Sequence, residues 1–189
     1  MRKLVYYVGV TLDGYIAGPD GQYDFFPTND DLLAWIHADY PEFVPTPARG
    51  MAGIADAPNR HCDTLVMGRG TYDPGVAMGI TSPYAHLRQY VVSRSLGPVD
   101  APDLEVVDAD PLGLVRRLKK EEGLDIWLCG GGDLAGQLFG EIDQLILKSY
   151  PVIAGAGVPL VAGGFDPTRF RPTRRQEFGD VIVSWFDRV

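Results

Sequence analysis

Apolar runs alternate with turn-forming and helix-forming segments along most of the chain. Leu4 to Leu12 is continuously apolar and ends at Asp13-Gly14, which predicts a strand buried on both faces and followed by a turn. Similar short runs predict further strands at 64–67, 90–94, 104–107, 126–129 and 144–153. Strands that are apolar on both faces are typical of parallel sheets covered by helices.

Helical patterns fall between these strands. Thr28 is the predicted N-cap of a helix that runs to about Asp39, with two aspartates in its first turn and an apolar stripe behind them. Asp110-Pro111 opens a second helix that Gly123 ends, and a third begins near Asp133. Strands that alternate with helices imply parallel crossover connections.

The end of the chain changes pattern. Residues 169–178 and 180–188 predict an antiparallel hairpin with Gly179-Asp180 at its turn. The predicted fold class is therefore α/β, a mixed and mostly parallel sheet flanked by helices, with a C-terminal antiparallel hairpin. No internal repeat or linker divides residues 1–189, so we expect a single domain. The proline-rich segment 41–59 is either a mobile flap or an irregular connection with one short helix.

Composition and charge exclude several classes of protein. Seventeen basic and 25 acidic side chains give a net charge of −8, which argues against a nucleic-acid binder. No apolar run approaches the ~20 residues that cross a bilayer, and the first residues lack the features of a signal peptide. Cys62 and Cys129 lie in or beside apolar runs and predict two buried thiols. The expected compartment is the reducing cytoplasm.

Candidate binding residues follow three of the predicted strands. They are Gly68 and Arg69, Ser93 and Arg94, and the segment Gly130 to Asp133. The carboxyl ends of parallel strands gather at one edge of a sheet, so these groups can face one ligand. Helix N-termini and arginine side chains both suit a pyrophosphate or phosphate. Taken singly, each glycine can be only a turn residue and each arginine only a solvated charge.

Several catalytic signatures are absent from the sequence. The glycine run at 130–132 does not restore the spacing of the dinucleotide fingerprint G-x-G-x-x-G, and there is no P-loop, Cys-x-x-Cys, His-Glu-x-x-His or Gly-x-Ser-x-Gly. The three histidines do not fall at metal-ligand spacing, so we predict no metal site.

Four motifs occur in a characteristic order. They are Val10-Thr11-Leu12-Asp13-Gly14-Tyr15-Ile16-Ala17, Leu65-Val66-Met67-Gly68-Arg69-Gly70-Thr71-Tyr72, Val92-Ser93-Arg94 and Cys129-Gly130-Gly131-Gly132-Asp133-Leu134, with Ser149 to Leu160 as a further match. This set resembles the dihydrofolate reductase-like superfamily. Within it, the chain is most similar to the reductase domain at the C-terminal end of bifunctional riboflavin-biosynthesis proteins.

The resemblance implies a dihydrofolate reductase-like sheet that binds NADPH across its strand ends. It assigns the nicotinamide amide to the backbone of Ile16 and Ala17. It assigns the pyrophosphate side to Gly68, Arg69 and Thr71, the adenosine 2′-phosphate to Ser93 and Arg94, and the diphosphate cover to Gly131, Gly132, Asp133 and Leu134. It also implies a cis peptide bond between Gly130 and Gly131.

The catalytic assignment is more open. Reduction of C=N or C=O by hydride needs a proton for the heteroatom, and a carboxylate often supports that protonation. Relatives that reduce folates carry an acid near the start of the first long helix, where this chain offers Asp30 and Asp31, and Asp31 is preferred. Asp13 is a second candidate. Either carboxylate can instead be structural, as a helix-dipole or turn residue. Tyr15, Phe25 and Phe26 either line an aromatic substrate slot or fill the core.

Three hypotheses follow for function. The first is an NADPH-dependent reductase of a small planar heterocycle, such as a pterin or pyrimidine. The second is a non-catalytic NADP- or ligand-binding module of the same fold, and the third is an interaction protein whose strands 169–188 pair across a two-fold axis. The riboflavin-pathway reductase carries an Asn-Pro and a downstream Arg for a phosphorylated substrate, which residues 71–76 lack. The resemblance further implies a homodimer, with Val158 to Val161 at the interface.

Overall fold

The computed structural model describes all 189 residues and contains ten strands and five helices. The strands are β1 (Leu4–Val10), β2 (Tyr15–Ala17), β3 (Cys62–Gly68), β4 (Arg88–Val92), β5 (Leu104–Val107), β6 (Asp125–Gly130), β7 (Ile142–Ser149), β8 (Val158–Pro159), β9 (Phe170–Phe178) and β10 (Val181–Arg188). The helices are α1 (Asp30–Asp39), α2 (Thr46–Arg49), α3 (Arg69–Ala77), α4 (Pro111–Leu118) and α5 (Gly132–Gln137). Two 3-10 turns occupy Pro41–Phe43 and Phe139–Glu141.

Eight of the strands form one sheet in the order β5-β4-β3-β6-β1-β7-β10-β9. The first six strands in this order run parallel, whereas β10 is antiparallel to β7 and β9 is antiparallel to β10. The predicted mixed sheet with a C-terminal hairpin is therefore confirmed. Because the central strands are parallel, their carboxyl ends all meet at one edge of the sheet.

Two apolar layers cover the two faces of this sheet. On one face, Trp35 of α1 packs against Phe178 and Trp185 with ring centroids 5.0 and 5.7 Å away. On the other face, Leu114 and Leu118 of α4 join the strand residues and α5 in a second cluster. We call the α1-covered side the aromatic face. It carries Tyr7 of β1 and Trp127 of β6.

The N-cap of α1 is Asn29, not Thr28. The Asn29 Oδ1 accepts a hydrogen bond from the Leu32 amide at 2.8 Å, and its Nδ2 donates to the Phe178 carbonyl at 2.9 Å. A threonine hydroxyl can cap a helix, but it is too short to make both bonds. Asn29 therefore starts the helix and also ties it to the hairpin.

Other predicted boundaries also shift. The helix α4 ends at Leu118 rather than at Gly123, and β7 ends at Ser149 instead of continuing to residue 153. A separate two-stranded sheet joins β2 to β8, which the apolar pattern did not predict. Cys62 is buried as expected, whereas Cys129 is partly exposed, and neither forms a disulfide.

The segment 41–59 is an irregular connection with one short helix, α2, and it is fastened to the body of the protein. The buried Glu42 carboxylate accepts hydrogen bonds from the amides of His61 and Cys62 at 2.7 and 3.1 Å. The guanidinium of Arg49 donates to the Pro41 carbonyl at 2.5 Å. These internal bonds satisfy the polar groups of a segment that lacks regular structure. None of the five helices of the protein has the length and apolar character needed to span a bilayer.

Candidate functional site

The candidate binding residues meet at the carboxyl edge of the sheet. In the register of β3, Met67 pairs with Gly130 of β6 and Gly68 pairs with Val92 of β4. Gly68 and Gly130 consequently end β3 and β6, and Ser93 directly follows the last residue of the neighbouring β4 at nearly the same level. The strand register thus confirms the prediction that these strand ends lie at one edge of the sheet.

The centre of this edge is free of side chains. A Cβ atom added to Gly130 would lie 3.6 Å from the Thr71 hydroxyl oxygen and 4.0 Å from Ile16 Cδ1. A Cβ on Gly68 would lie 3.6 Å from the Gly130 carbonyl oxygen. The Gly130–Gly131 peptide bond is cis, as the sequence resemblance implied. The glycines leave a shallow cradle with the hydroxyl of Thr71 at its border, and such a surface allows an extended ligand to approach the backbone.

The small β2–β8 sheet brings Ile16 and Ala17 to this cradle. Leu160 donates its amide to the Gly14 carbonyl at 2.9 Å, and Ala162 donates to Gly132 at 3.0 Å. A Cβ on Gly132 would overlap the carbonyl oxygen of Pro159, so only glycine fits this approach. The segment after β7 thus fastens the turn after β1 to the start of α5.

The two remaining residues predicted at the start of α5 differ in their surroundings. Leu134 is buried in the core below the cradle, and a Cβ added to Gly68 would lie 3.8 Å from the Cβ of Leu134. Asp133 is exposed in the first turn of the helix. Leu134 therefore supports the cradle from below, and only Asp133 is open to a ligand through its side chain.

The polar residues after β3 and β4 form one end of the edge. Arg69 is exposed and donates to the Ser95 hydroxyl at 2.6 Å, with Asp73 at 3.3 Å on the other side of its guanidinium. The buried Ser93 hydroxyl accepts hydrogen bonds from the backbone amides of residues 95 and 96. Arg94 is exposed and makes no ion pair or side-chain hydrogen bond. Ser93 shapes the turn, and Arg94 is the unpaired charge that it presents.

An aromatic wall forms the other end of the edge. Phe25 and Phe26 lie with centroids 4.5 Å apart, and Phe26 contacts Tyr150 at 4.7 Å. Phe25 also lines a groove of about 330 Å³ between residues 18–25 and the segment 152–156. Tyr15 pairs with Pro159 in the small sheet. Phe25 therefore faces open space, Phe26 packs against the core behind it, and Tyr15 belongs to the β2–β8 contact.

A second depression, of about 620 Å³, lies at the opposite end of the strands. Met1, Arg2 and residues 119–123 line it, with a single hydrophobic residue among eight. The Arg2 guanidinium is already paired with Asp63 and contacts Glu121. The depression is therefore lined by charged side chains, part of which are already paired, and no glycine cradle borders it, so we place the site at the carboxyl edge.

Asp13 organises the loops at this edge. Its carboxylate accepts hydrogen bonds from the Thr11 hydroxyl at 2.6 Å and from the amides of Ala154 and Gly155 at 3.0 and 2.7 Å. These bonds lower the pKa of Asp13 to about 2, and the bond from the Thr11 hydroxyl makes the largest contribution. A carboxyl with this pKa is ionised at neutral pH, which suits a structural acceptor rather than a proton donor.

Asp31 occupies the first turn of α1, as the sequence indicated, but its carboxylate is exposed and has no hydrogen-bond partner. The buried side of the helix is formed by its neighbour Leu32 together with Trp35 and Ile36. A catalytic role for Asp31 remains a prediction.

The sequence reasoning missed one charged side chain on the aromatic face. Lys148 of β7 pairs with Gly9 of β1 and with the fully buried Val183 of β10, so its side chain points to the core. Its ammonium lies 4.4 Å from the centroid of the Tyr7 ring. Burial lowers the pKa of Lys148 to about 8. The one feature of the sequence that could have indicated this residue is a lysine at an inward-facing position of an apolar strand.

The fold of this chain is similar to that of dihydrofolate reductase. Dihydrofolate reductase from Enterococcus faecalis, solved in complex with NADP(H) and the compound RAB-propyl, superimposes with a TM-score of 0.62 at 15% identity, covering 98% of this chain and 96% of that one.

The sequence matches the RibD C-terminal domain family over residues 2–184, so the chain belongs to that family. It is 28% identical over 190 aligned positions to the uncharacterized protein YwjB of Bacillus subtilis strain 168, covering 100% of this chain and 99% of YwjB. A diaminohydroxyphosphoribosylaminopyrimidine deaminase/5-amino-6-(5-phosphoribosylamino)uracil reductase from Thermotoga maritima gives a TM-score of 0.67 at 16% identity, with 100% of this chain and 57% of that one covered.

Proposed function

We propose that this protein binds NADPH along the carboxyl edge of its sheet and reduces a C=N or C=O bond of a small planar heterocycle, of the pterin or pyrimidine kind. Bound NADPH would supply the hydride. The observation that carries the proposal is the side-chain-free cradle of Gly68, Gly130 and Gly131, with a free arginine at one end and an aromatic wall at the other.

The residues present fit the cofactor in both shape and charge. The cradle admits a flat, extended ligand because a Cβ on Gly130 or Gly131 would enter its space beside Thr71. Arg94 offers an unpaired guanidinium, which pairs well with phosphate oxygens. Ser93 holds the turn that displays Arg94. Substitution of Ser93 would therefore weaken binding of the NADPH phosphate indirectly, by displacing Arg94.

The groove beside Phe25 favours an uncharged, flat substrate. Its lining consists of glycine, proline, alanine, a glutamine and aliphatic side chains, with no lysine or arginine. A phosphorylated substrate needs a positive partner, and residues 71–76 lack the Asn-Pro expected for one. We therefore propose a heterocycle without a phosphate group. A homodimer in the cytoplasm remains part of the proposal.

A second function has one observation in its favour. Neither Asp13 nor Asp31 presents a proton to the cradle, since the first is a bonded, ionised acceptor and the second faces solvent. This arrangement would also suit a module that binds NADP without turnover. Both proteins would bind NADPH, but only the reductase would oxidise it in the presence of a substrate.

The test is a titration with NADPH and with NADH, followed by quenching of the tryptophan emission. Trp127 lies on β6 three residues before Gly130, so an occupied cradle should change its emission. The wild type should prefer NADPH. Arg94→Gln should weaken NADPH binding about tenfold or more, the value of a lost charged hydrogen bond, and leave NADH binding unchanged.

Arg171→Gln is the matched control. Arg171 is an exposed arginine on the edge strand β9, and five strands separate β9 from β4 in the sheet. It should behave as the wild type. A failure of both nucleotides to bind would refute the reductase and the binding module together. Binding without NADPH oxidation, followed at 340 nm with a panel of pterins, pyrimidines and flavins, would favour the module.

A further inference from the structure

The aromatic face contains a polar cluster that the proposed function has not used. It consists of Lys148 on β7, Tyr7 on β1 and Cys129 on β6, and we call it the Lys148 cluster. The three strands are neighbours in the order β6-β1-β7. Cys129 directly precedes Gly130, so the cluster begins where the glycine cradle ends.

The cluster also adjoins the aromatic wall. Gly9, the register partner of Lys148, would place a Cβ 3.2 Å from the Tyr150 ring and 3.9 Å from the Phe26 ring. The absence of a side chain at Gly9 leaves room between these rings and the strand. The Lys148 cluster therefore lies between the candidate cofactor cradle and the candidate substrate wall.

Two polar groups of the cluster have no protein partner. The Lys148 side chain is partly exposed, and its ammonium lies over the face of the Tyr7 ring without an ion pair or hydrogen bond to the protein. The Tyr7 side chain is 5% exposed, and its hydroxyl has no hydrogen-bond partner. The Tyr7 hydroxyl is therefore a buried polar group without a partner, which is rare in folded proteins and calls for an explanation.

The surroundings of Lys148 keep its proton available. The groups that face the cluster are neutral at pH 7, because burial raises the pKa of Cys129 to about 12 and raises the pKa values of Tyr7, Tyr84 and Tyr150. The carboxylate of Glu42 contributes to the raised pKa of Tyr7, and its oxygens accept hydrogen bonds from backbone amides. No anion holds the ammonium in its charged form.

We propose that Lys148 is the proton donor of the reductase and contacts the heteroatom of the substrate. This inference rests on the proposed function. A hydride from NADPH forms the new C–H bond at the substrate carbon, and the π pair of the C=N or C=O bond moves to the heteroatom. The heteroatom takes a proton from the Lys148 ammonium, and the neutral amine regains a proton from solvent.

The pH dependence follows from the same chemistry. With a pKa near 8, Lys148 is mostly protonated at pH 7 and ready to donate, whereas above pH 8 the acid form is lost. Reduction should therefore fall as the pH rises through about 8. A carboxylic acid with an ordinary pKa of about 4 would lose its proton, and the activity with it, at a much lower pH.

The first experiment measures Lys148 directly, without a substrate. The chain has four lysines, so protein labelled with ε-¹³C lysine gives four carbon signals, and Lys148→Met assigns the one of interest. In the free protein the Lys148 signal should titrate near pH 8. With NADP⁺ bound, the midpoint should lie about one unit lower than with NADPH, because the oxidised nicotinamide ring is cationic.

Three outcomes separate the two proposals. If neither nucleotide quenches the tryptophan emission, the proposed function fails. If both bind and the Lys148 midpoint is the same in the two complexes, the proton-donor assignment fails and the binding function stands. A Lys148 signal that does not titrate near pH 8 in the free protein would also overturn the assignment.

Kinetics provide the second readout, with any acceptor that the heterocycle panel identifies. Lys148→Met should lower kcat about 100-fold, a typical contribution of general acid catalysis, and leave the Kd of NADPH unchanged. Lys120→Met, at an exposed lysine after α4, is the control and should leave both unchanged. An unchanged kcat in a folded Lys148→Met variant would refute the proposal.

Discussion

Removal of the Tyr7 hydroxyl should stabilise the protein. This hydroxyl is buried and has no hydrogen-bond partner, so folding takes it out of water without compensation. Such a penalty is about 1–3 kcal/mol. Tyr7→Phe keeps the ring, with its contacts to Phe43 at 4.2 Å and to Trp127 at 6.2 Å. We expect the free energy of unfolding to rise by about 1 kcal/mol.

The neighbouring Tyr6 offers a closely matched control. It lies on the same strand, faces the opposite side of the sheet and is fully buried. Its hydroxyl donates a hydrogen bond to the Leu160 carbonyl at 2.9 Å. Tyr6→Phe should therefore lower the free energy of unfolding by about 1 kcal/mol, the net value of one intramolecular hydrogen bond. The two substitutions remove the same atom and should have opposite effects.

The assay is urea unfolding followed by the emission of the three buried tryptophans. The slope of the unfolding free energy against urea should be the same in all variants, so the midpoint reports stability alone. In thermal unfolding, 1 kcal/mol corresponds to about 2–4 °C in a domain of this size. A loss of stability in Tyr7→Phe equal to that in Tyr6→Phe would show that the Tyr7 hydroxyl is satisfied in the folded protein, and would refute the reasoning.

Two further predictions concern stability away from the site. A Cβ on Gly136 would overlap the carbonyl oxygen of Ala162, so Gly136→Ala should lower the free energy of unfolding by about 1–3 kcal/mol. Gly140 has open space around it, so Gly140→Ala is the control and should change the urea unfolding midpoint little. Burial lowers the pKa of His86, so its imidazole binds a proton more readily in the unfolded chain than in the folded protein. The free energy of unfolding should therefore fall as the pH drops through about 6.5, the pKa of an unperturbed histidine. Urea midpoints at pH 5 and 7.5 should differ less in His86→Gln than in the wild type, and an equal difference would contradict this assignment.

The local chemistry of the strand ends was readable from the sequence, but the partners of the candidate residues were not. Asp13 stands at a turn in the sequence, yet its carboxylate bonds to residues 154 and 155, more than 140 positions away. Asn29 caps α1 in place of Thr28 because its amide also reaches the carbonyl of Phe178. These roles depend on contacts between segments that only folding brings together.

Lys148 illustrates the same limit for the chemistry of the site. Its sequence context shows a lysine in an apolar strand, which fits equally a strand edge open to solvent. The lowered pKa arises because β7 lies between β1 and β10, with the ring of Tyr7 beside the ammonium. Desolvation depends on every neighbouring element, so a local pattern does not carry it.

The sequence by itself determined the α/β class, the parallel order implied by apolar strands and crossover helices, and the glycine-ended strands, because these depend on periodicity and backbone freedom within short segments. The tertiary structure alone decided which strand ends adjoin, which arginine is left unpaired and which buried groups lack partners. Those properties follow from strand order, register and burial, which are set by contacts between residues far apart in the chain.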